Sequence, residues 1–409
     1  METVFSILGE MGRVLVDTFT SPSFLLVYLL LFIIVAWQYR RLQKMSAAPM
    51  QMNSHYLSMA LVSSLFGIGG GILGSILLVF LGIDLAEIGI SQLWLAAIIL
   101  MLIKPRFLCF AYAAGLLSIS KLIFAYPEIS IPQLMGLVAV LHMVESLLIL
   151  VNGSLKPIPV YVKKQGRLCG GFNLQLFWPI PLVAMLGVGM ADTAGSIIMP
   201  DWWPLLHDYA GFTNEQTYAL LPVLAVLGYG EVSTTRTPVQ AIRKSSLHLF
   251  LFSLTLLCLS VLASQHAFML PVVALFSPLG HELVIWLGMQ AENRPPLYTV
   301  SGRGIMILDV MTGTAAHRAG LQSQDIILAL NGEMVNHYYA LQELLSCRWQ
   351  FLSLEIKRGE KIISLPVNLE KGQELGIILV PELNTSRYLT VNDDSFFSMA
   401  RGIWRRFRR

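Results

Sequence analysis

Gly304-Ile-Met-Ile-Leu-Asp-Val-Met-Thr-Gly-Thr-Ala-Ala-His-Arg-Ala-Gly-Leu-Gln-Ser-Gln-Asp-Ile-Ile-Leu-Ala-Leu-Asn-Gly332 is the stretch that divides this chain. Apolar residues alternate over Ile305–Val310 and again over Ile326–Leu330, the period of strands with one buried face. Between them, residues 313–321 open on a turn glycine and hold a short helix ended by Gly320. Asn331-Gly332 is a tight-turn pair. A helix follows over His337–Cys347, with Tyr338, Leu341, Leu344 and Leu345 on its apolar face. Two further strands, Phe351–Lys357 and Ile362–Val367, are joined by the hairpin turn Lys357-Arg-Gly-Glu-Lys361. From about Glu292 to Glu382 the composition is polar, as a small soluble α/β unit requires.

Everything before that unit reads as membrane. The chain is 55% hydrophobic and 13% charged, with mean hydropathy +0.65. A soluble chain of this length carries nearly twice that charge. A helix needs roughly 20 apolar residues to cross the hydrocarbon core. Such segments lie near 22–39, 57–82, 88–103, 107–125, 133–151, 174–191, 217–233, 246–264 and 267–287. The expectation is therefore a polytopic all-α membrane domain of about nine spans over residues 1–290, a small domain over 291–382, and a tail over 383–409. The first 20 residues, with Glu2, Glu10, Arg13 and Asp17, lack the pattern of a cleavable signal, so the first span is expected to act as the insertion signal.

Loop charge sets the orientation. Arg40, Arg41 and Lys44 follow the first span, Lys104 and Arg106 the third. Lys156, Lys163, Lys164 and Arg167 follow the fifth, and Arg236, Arg243 and Lys244 the seventh. Loops 83–90, 126–132, 192–216 and 265–266 contain no Lys or Arg. That alternation predicts an outside N-terminus and a cytoplasmic 288–409. In the 192–216 loop, Trp202 and Trp203 read as interfacial aromatics.

Ionisable groups inside spans are costly and need a reason. His142 and Glu145 lie three residues apart on one helix face and could pair. Lys121 can snorkel, Asp192 and Glu231 lie near span ends, and His281 and Glu282 lie inside the last span. These groups read as helix-to-helix polar contacts; a transporter or signalling component using them is the alternative. Gly67-Ile-Gly-Gly-Gly-Ile-Leu-Gly74 places small residues at four-residue spacing, which reads as close helix packing. Pro179, Pro181 and Pro222 are expected to kink their spans. Cys109, Cys169, Cys258 and Cys347 form neither CxxC nor metal-ligand spacing, and read as free thiols.

Enzyme signatures fail. A zinc protease needs HExxH on one helix, and here His281-Glu282 is followed by Ile285 where the second histidine belongs. No GxSxG elbow occurs. An intramembrane protease lacking recognisable zinc ligands is the remotest reading. The chain is expected to be no enzyme, with no cofactor, no metal and no nucleic acid.

The order of elements over 304–367 resembles a PDZ domain, strongest at Ala319-Gly-Leu-Gln-Ser-Gln-Asp-Ile-Ile-Leu-Ala-Leu-Asn-Gly332. It departs from the usual pattern at Ala315, where a proline is common, and at Gln324, where a glycine is common. PDZ domains add a ligand as an extra strand and cradle its carboxylate in a hydrophobic-Gly-hydrophobic loop. The matching run is Leu375-Gly-Ile-Ile-Leu379, at the end of the module, which resembles circularly permuted bacterial PDZ domains. The resemblance implies a groove with Leu375, Gly376, Ile377, Ile378 and Leu379 on one side and Tyr338, Leu341 and Leu345 on the other.

The tail is polar over 383–394 and reads as disordered there. It then mixes aromatics with arginines, so that Trp404, Arg405, Arg406, Arg408 and Arg409 are expected to lie on anionic lipid. A multi-span anchor followed by one PDZ domain resembles the MinJ family of cell-division topological determinants. Lys104-Pro-Arg-Phe-Leu-Cys-Phe-Ala-Tyr112, the basic loop around Pro157–Arg167, and Gly280-His-Glu-Leu with Asn293-Arg-Pro-Pro296 are similar to that family's stretches. The resemblance implies a bacterial membrane scaffold at septum and poles that bridges DivIVA to MinD.

Overall fold

The computed structural model of the chain describes residues 2–47, 56–164, 166–189, 199, 202–207, 217–347, 349–370, 373–382 and 388–390. In chain order the helical part begins with α1 (Glu2–Thr20), α2 (Pro22–Lys44), α3 (Tyr56–Leu81), α4 (Ile90–Ile103), α5 (Phe110–Phe124) and α6 (Ile131–Asn152). Strands β1 (Ile158–Lys164), β2 (Arg167–Asn173), β3 (Leu176–Gly189), β4 (Thr217–Tyr229) and β5 (Val232–Ser233) come next, then α7 (Pro238–Gln265) and α8 (Leu270–Glu292). The C-terminal part holds β6 (Ile305–Val310), α9 (Ala315–Arg318), β7 (Ile326–Leu330), β8 (Glu333–Met334), α10 (Tyr338–Ser346), β9 (Phe351–Arg358), β10 (Lys361–Asn368), β11 (Ile377–Leu379) and β12 (Leu389–Thr390).

Five helices among the described residues are long and apolar enough to cross a membrane: α2, α3, α6, α7 and α8 with the short turn before it. α4 and α5 are apolar but shorter. Helix α6 is the hub, buried along nearly its whole length, and α3, α7 and α8 pack around it.

The segments 174–191 and 217–233 correct the expectation of nine helical spans. They form one antiparallel hairpin, β3–β4, with Leu176 opposite Tyr229 and Gly187 opposite Tyr218. Hydropathy reports apolar surroundings, not the backbone that enters them. At 14 residues, β3 reaches about 46 Å, long enough to cross a hydrocarbon core. An isolated hairpin leaves two unpaired edges, which apolar surroundings cannot hydrate. Alternate residues of β3 turn that edge toward the helices and the loop after α3, and four of them find partners there. The amide of Phe177 donates to the Tyr39 hydroxyl at 3.2 Å, and that of Val183 to Ser75 Oγ at 2.7 Å. The carbonyl of Met185 accepts from Leu85 at 2.9 Å, and the amide of Gly187 donates to Asp84 Oδ1 at 2.9 Å. Pro179 and Pro181 fall on the same alternation and have no N–H to satisfy. The prolines thus remove donors at an unpaired edge instead of kinking helices. Pro222 faces Val183 across the ladder and does the same for β4.

The glycine run of α3 exists for this strand. A Cβ on Gly67 would stand 2.3 Å from the Pro179 carbonyl oxygen, and one on Gly71 2.0 Å from that of Pro181. On another side of the helix, Gly70 meets Leu148 and Val144 of α6. Close packing was the right reading, but its main partner is a strand. The hairpin is a there-and-back excursion, so it leaves the alternation of loop sides unchanged. Trp203 is buried at its far end, donating from Nε1 to the Val79 carbonyl at 2.9 Å, while Trp202 is exposed. Helix α1 packs there too, through Ile7 and Met11 against Val183 and Met185.

The loop 157–173 is a second departure from sequence expectation. It folds into a small sheet in the order β12-β1-β2-β5. Glu292, the last residue of α8, accepts from the Thr234 amide at 2.9 Å and the Thr235 hydroxyl at 2.9 Å, and Lys164 donates to the carbonyls of Glu292 and Arg294. Arg236 faces both Glu231 and Glu292 at 3.4 and 3.7 Å. Three separated segments are thereby tied at the point where the helices end and the C-terminal domain begins. The polar tail contributes here: Leu389 and Thr390 pair in parallel with Val162 and Lys163, where sequence suggested disorder.

The C-terminal domain is a sheet in the order β10-β9-β7-β6-β11, with β8 beside β7 and with α9 and α10 completing the module. Its own core gathers Ile307, Leu321, Ile327, Leu330, Leu341, Leu354, Ile356 and Val367. Asp325 is buried and held bidentately by Arg358, at 2.7 Å from both Nε and Nη2, while accepting from the Gln322 amide at 2.8 Å. That pairing locks the turn after α9 to the end of β9, and the same pairing raises the Arg358 pKa further.

Candidate peptide-binding site

Strand β11 is the edge of the C-terminal sheet, and Leu341 and Leu345 of α10 share a core cluster with Leu375, Ile377 and Leu379. Gly376, just before the strand, has φ +79°, a conformation that favours glycine, and a Cβ there would stand 2.3 Å from Thr314. The loop before β11 is pinned through its carbonyls. Leu375 accepts from the Ala316 amide at 3.0 Å and Gly376 from the Met311 amide at 3.0 Å. In a trans peptide the next N–H points the opposite way, so the amides of Gly376 and Ile377 turn away from α9 and β6. Two adjacent N–H groups aimed outward are the elements of a carboxylate cradle.

Ladder geometry fixes the rest. Ile377 faces Val310 and Leu379 faces Ile307, both as pairs whose own N–H and C=O point away from β6. The outer edge of β11 therefore carries the backbone groups of Ile377 and Leu379. The expected wall residues divide. Leu375 and Leu379 are buried in the domain core, and Ile377 is half-buried against it. Ile378 points to the other face, in a cluster with Leu308, Tyr298 and Val380, and so belongs to the docking of the domain on β1–β2 instead of to the groove. Leu341 is a core residue; Leu345 is half-buried; Tyr338 is exposed at the groove mouth. The start of α10 is held by Glu382, whose Oε1 accepts from the Tyr338 amide at 2.6 Å.

Tyr161 is the residue that sequence reading missed. From β1, its hydroxyl donates to the Leu379 carbonyl at 3.0 Å, on the edge that a ligand would use. Burial, with Tyr338 nearby, pushes its pKa up to about 12, so the hydroxyl stays a donor through the physiological range. The two residues are 218 positions apart, and no local pattern announces the contact. On β6, burial lifts the Asp309 carboxyl to about 6.

The other residues singled out from sequence are scattered. His142 does not pair with Glu145: its Nδ1 stands 2.7 Å from the Val138 carbonyl and its Nε2 3.2 Å from Cys109 Sγ. Glu282 takes the Tyr112 hydroxyl at 2.8 Å and Arg106 at 3.3 Å. Lys121 donates to the Ile129 carbonyl, and Glu231 accepts from Tyr229, Ser245 and Arg236. Asp192 and the tail residues Trp404, Arg405, Arg406, Arg408 and Arg409 lie outside the described residues. One set of His and Cys atoms among the described residues is close enough to share a metal ion: Cys109, His142 and His281.

A family model for the PDZ domain matches residues 306–358. The chain is also similar to the periplasmic pH-dependent serine endoprotease DegQ of Escherichia coli (strain K12), 36% identical over 64 residues. That stretch is 16% of this chain and 14% of DegQ, so the chain covers a small part of that relative's length. The chain thus carries a PDZ domain near its C-terminus, behind a part rich in apolar helices. The matched range ends at Arg358, so β11, which supplies the groove edge, lies beyond it.

Proposed function

We propose that this chain is a non-enzymatic membrane scaffold whose PDZ groove captures a short segment of a partner protein. One observation carries the reading. Ile377 and Leu379 turn their backbone groups away from β6 at the sheet edge, with the Leu379 carbonyl met there by Tyr161, below two outward amides at Gly376 and Ile377. That arrangement suits strand addition, the mode by which PDZ domains bind peptide.

The PDZ domain faces the cytoplasm in this proposal. The basic loops support it: Lys164 and Arg236, from two of them, meet at the junction with the PDZ domain. The task is division-site placement, with DivIVA and MinD as partners at septum and poles. This finer proposal is supported by the resemblance of residues 104–112, the loop near 157–167, and 280–296 to the MinJ family. The basic aromatic tail adds anionic lipid as a further contact.

The experiment is imaging of a fluorescent fusion in dividing cells, with the intact chain and with Gly376→Ala. Septal or polar enrichment that Gly376→Ala abolishes while membrane insertion persists is the expected result. Uniform membrane fluorescence of the intact chain would remove the division role. Cleavage of the PDZ domain by protease added to intact protoplasts would remove its cytoplasmic side.

A further inference from the structure

Three elements far apart in sequence bring a thiol and two imidazoles together. Cys109 is the N-cap of α5, His142 lies within α6, and His281 lies within α8. Cys109 Sγ stands 3.2 Å from His142 Nε2 and 3.5 Å from His281 Nε2. All three atoms lie within 4.8 Å of one another. Ligand atoms around one tetrahedral zinc, at about 2.3 Å for sulfur and 2.0 Å for nitrogen, stand about 3.5 Å apart. The spacing already suits a shared ion.

The surroundings prepare the donors. A carbonyl can only accept, so the 2.7 Å contact to Val138 places the proton of neutral His142 on Nδ1. Its Nε2 is left with a lone pair on the side of the thiol, the arrangement by which a backbone carbonyl orients a metal-binding histidine. Ring packing fixes the planes: Phe252 stands 5.5 Å from His142 and 5.7 Å from His281, and Tyr112 5.2 Å from His281. Nδ1 of His281 is buried without a hydrogen-bond partner. The carboxylate of Glu282 is engaged by Arg106 and Tyr112, which sets it beside the donor set and not in it.

We propose that Cys109, His142 and His281 bind one zinc-class divalent ion. On binding, the S–H bond of Cys109 breaks, its proton leaves to solvent, and the thiolate lone pair goes to the metal. Each imidazole gives its Nε2 lone pair, and no atom changes oxidation state. One thiolate and two imidazoles select a zinc-class ion over magnesium or calcium, which take oxygen ligands. Three protein donors leave one tetrahedral position for water. The ion would staple the start of α5 to α6 and to α8, the helix that ends at the PDZ junction. The zinc-protease pattern fails at Ile285, where a second histidine on the helix of His281 would belong. The donors come instead from α5 and α6.

The test uses the full chain in lipid nanodiscs with Cys169, Cys258 and Cys347 replaced by Ser, so that Cys109 is the single thiol. The protein is stripped of metal and titrated with Co2+. The expected result is a thiolate-to-cobalt charge-transfer band with tetrahedral visible bands, saturating at about one ion per chain. Zinc should displace it and slow maleimide modification of Cys109. Cys109→Ser should abolish the band, and His142→Gln or His281→Gln should weaken cobalt at least about tenfold. A second measurement needs no variant: elemental analysis of the unaltered chain, purified without chelator, should find zinc near one per chain. Absence of both the band and stoichiometric zinc would overturn the proposal and leave a hydrogen-bonded triad. So would cobalt binding indifferent to both histidine variants, or occupancy by copper alone.

Discussion

The Tyr161 hydroxyl donates a 3.0 Å hydrogen bond to the carbonyl oxygen of Leu379, so the sheet next to the helices touches the edge proposed to receive ligands. A strand added to β11 must compete with that hydroxyl when it reaches Leu379. Tyr161→Phe keeps the ring and removes the competitor. One neutral hydrogen bond is worth about 1 kcal/mol net, so affinity for a captured peptide should rise about fivefold. The measurement is fluorescence anisotropy with a peptide selected from a random C-terminal library, on the full chain in nanodiscs. Unchanged affinity would mean that ligands never reach Leu379.

Gly376 is the position where the proposed carboxylate cradle and the fold make the same demand. Its φ of +79° and the 2.3 Å approach of Thr314 both exclude a Cβ. Gly376→Ala should destabilise the loop by about 2 kcal/mol and lower peptide affinity at least tenfold. Gly313→Ala is the control: it has positive φ (+80°) but open space around it, so strain without collision should leave binding nearly intact. Equal losses in the two variants would show that general strain, not the cradle, is being read.

Asp309 gives the PDZ domain a pH dependence. Burial raises its carboxyl from 3.8 to about 6, so the folded state holds the proton more tightly than the unfolded state does. Between about pH 4 and pH 6 the native chain therefore binds more protons, and stability falls as pH rises through that window. The loss is no more than about 3 kcal/mol. Asp309→Asn is neutral throughout, so its melting temperature should match wild type near pH 4 and exceed it above about pH 6. Calorimetry at three pH values checks this. A gap that stays constant with pH would refute the burial argument.

How much of this was legible follows from which signals are local. The strands of the PDZ domain could be read because period-two alternation and turn glycines such as Gly313 and Gly320 are short-range. The loop at Leu375-Gly-Ile377 was singled out by resemblance to a hydrophobic-Gly-hydrophobic pattern, and the structure gives Gly376 a positive φ there. The hairpin β3–β4 was misread because a 14-residue apolar strand and an apolar helix share one hydropathy signature. A cue was present in Pro179 and Pro181, two residues apart: that spacing suits an unpaired strand edge. Contacts such as Tyr161 with Leu379, or Cys109 with His142 and His281, join segments whose sequences are individually bland. Docking of the PDZ domain on β1–β2 makes the first contact, and the packing of α6 against α5 and α8 the second.

The fit of β3 on α3 yields the sharpest stability prediction. Gly67, Gly69 and Gly71 share one helix and one composition, yet only two of them face the strand. A methyl on Gly71 would lie 2.0 Å from the carbonyl oxygen of Pro181, while a methyl on Gly69 meets nothing within 4 Å. The obstacle at Gly71 is backbone, which has no rotamer to yield, so α3 and β3 must separate. Separation would also stretch the 2.7 Å bond from the Val183 amide to Ser75 Oγ, leaving a buried donor unsatisfied. Gly71→Ala should therefore cost about 3 kcal/mol or more, and Gly67→Ala a similar amount, whereas Gly69→Ala should be neutral or slightly stabilising through helix propensity. Thermal unfolding in detergent, read by size-exclusion chromatography with a fluorescent fusion, ranks the variants. Tolerance of alanine at both Gly67 and Gly71 would mean that β3 does not lie on α3.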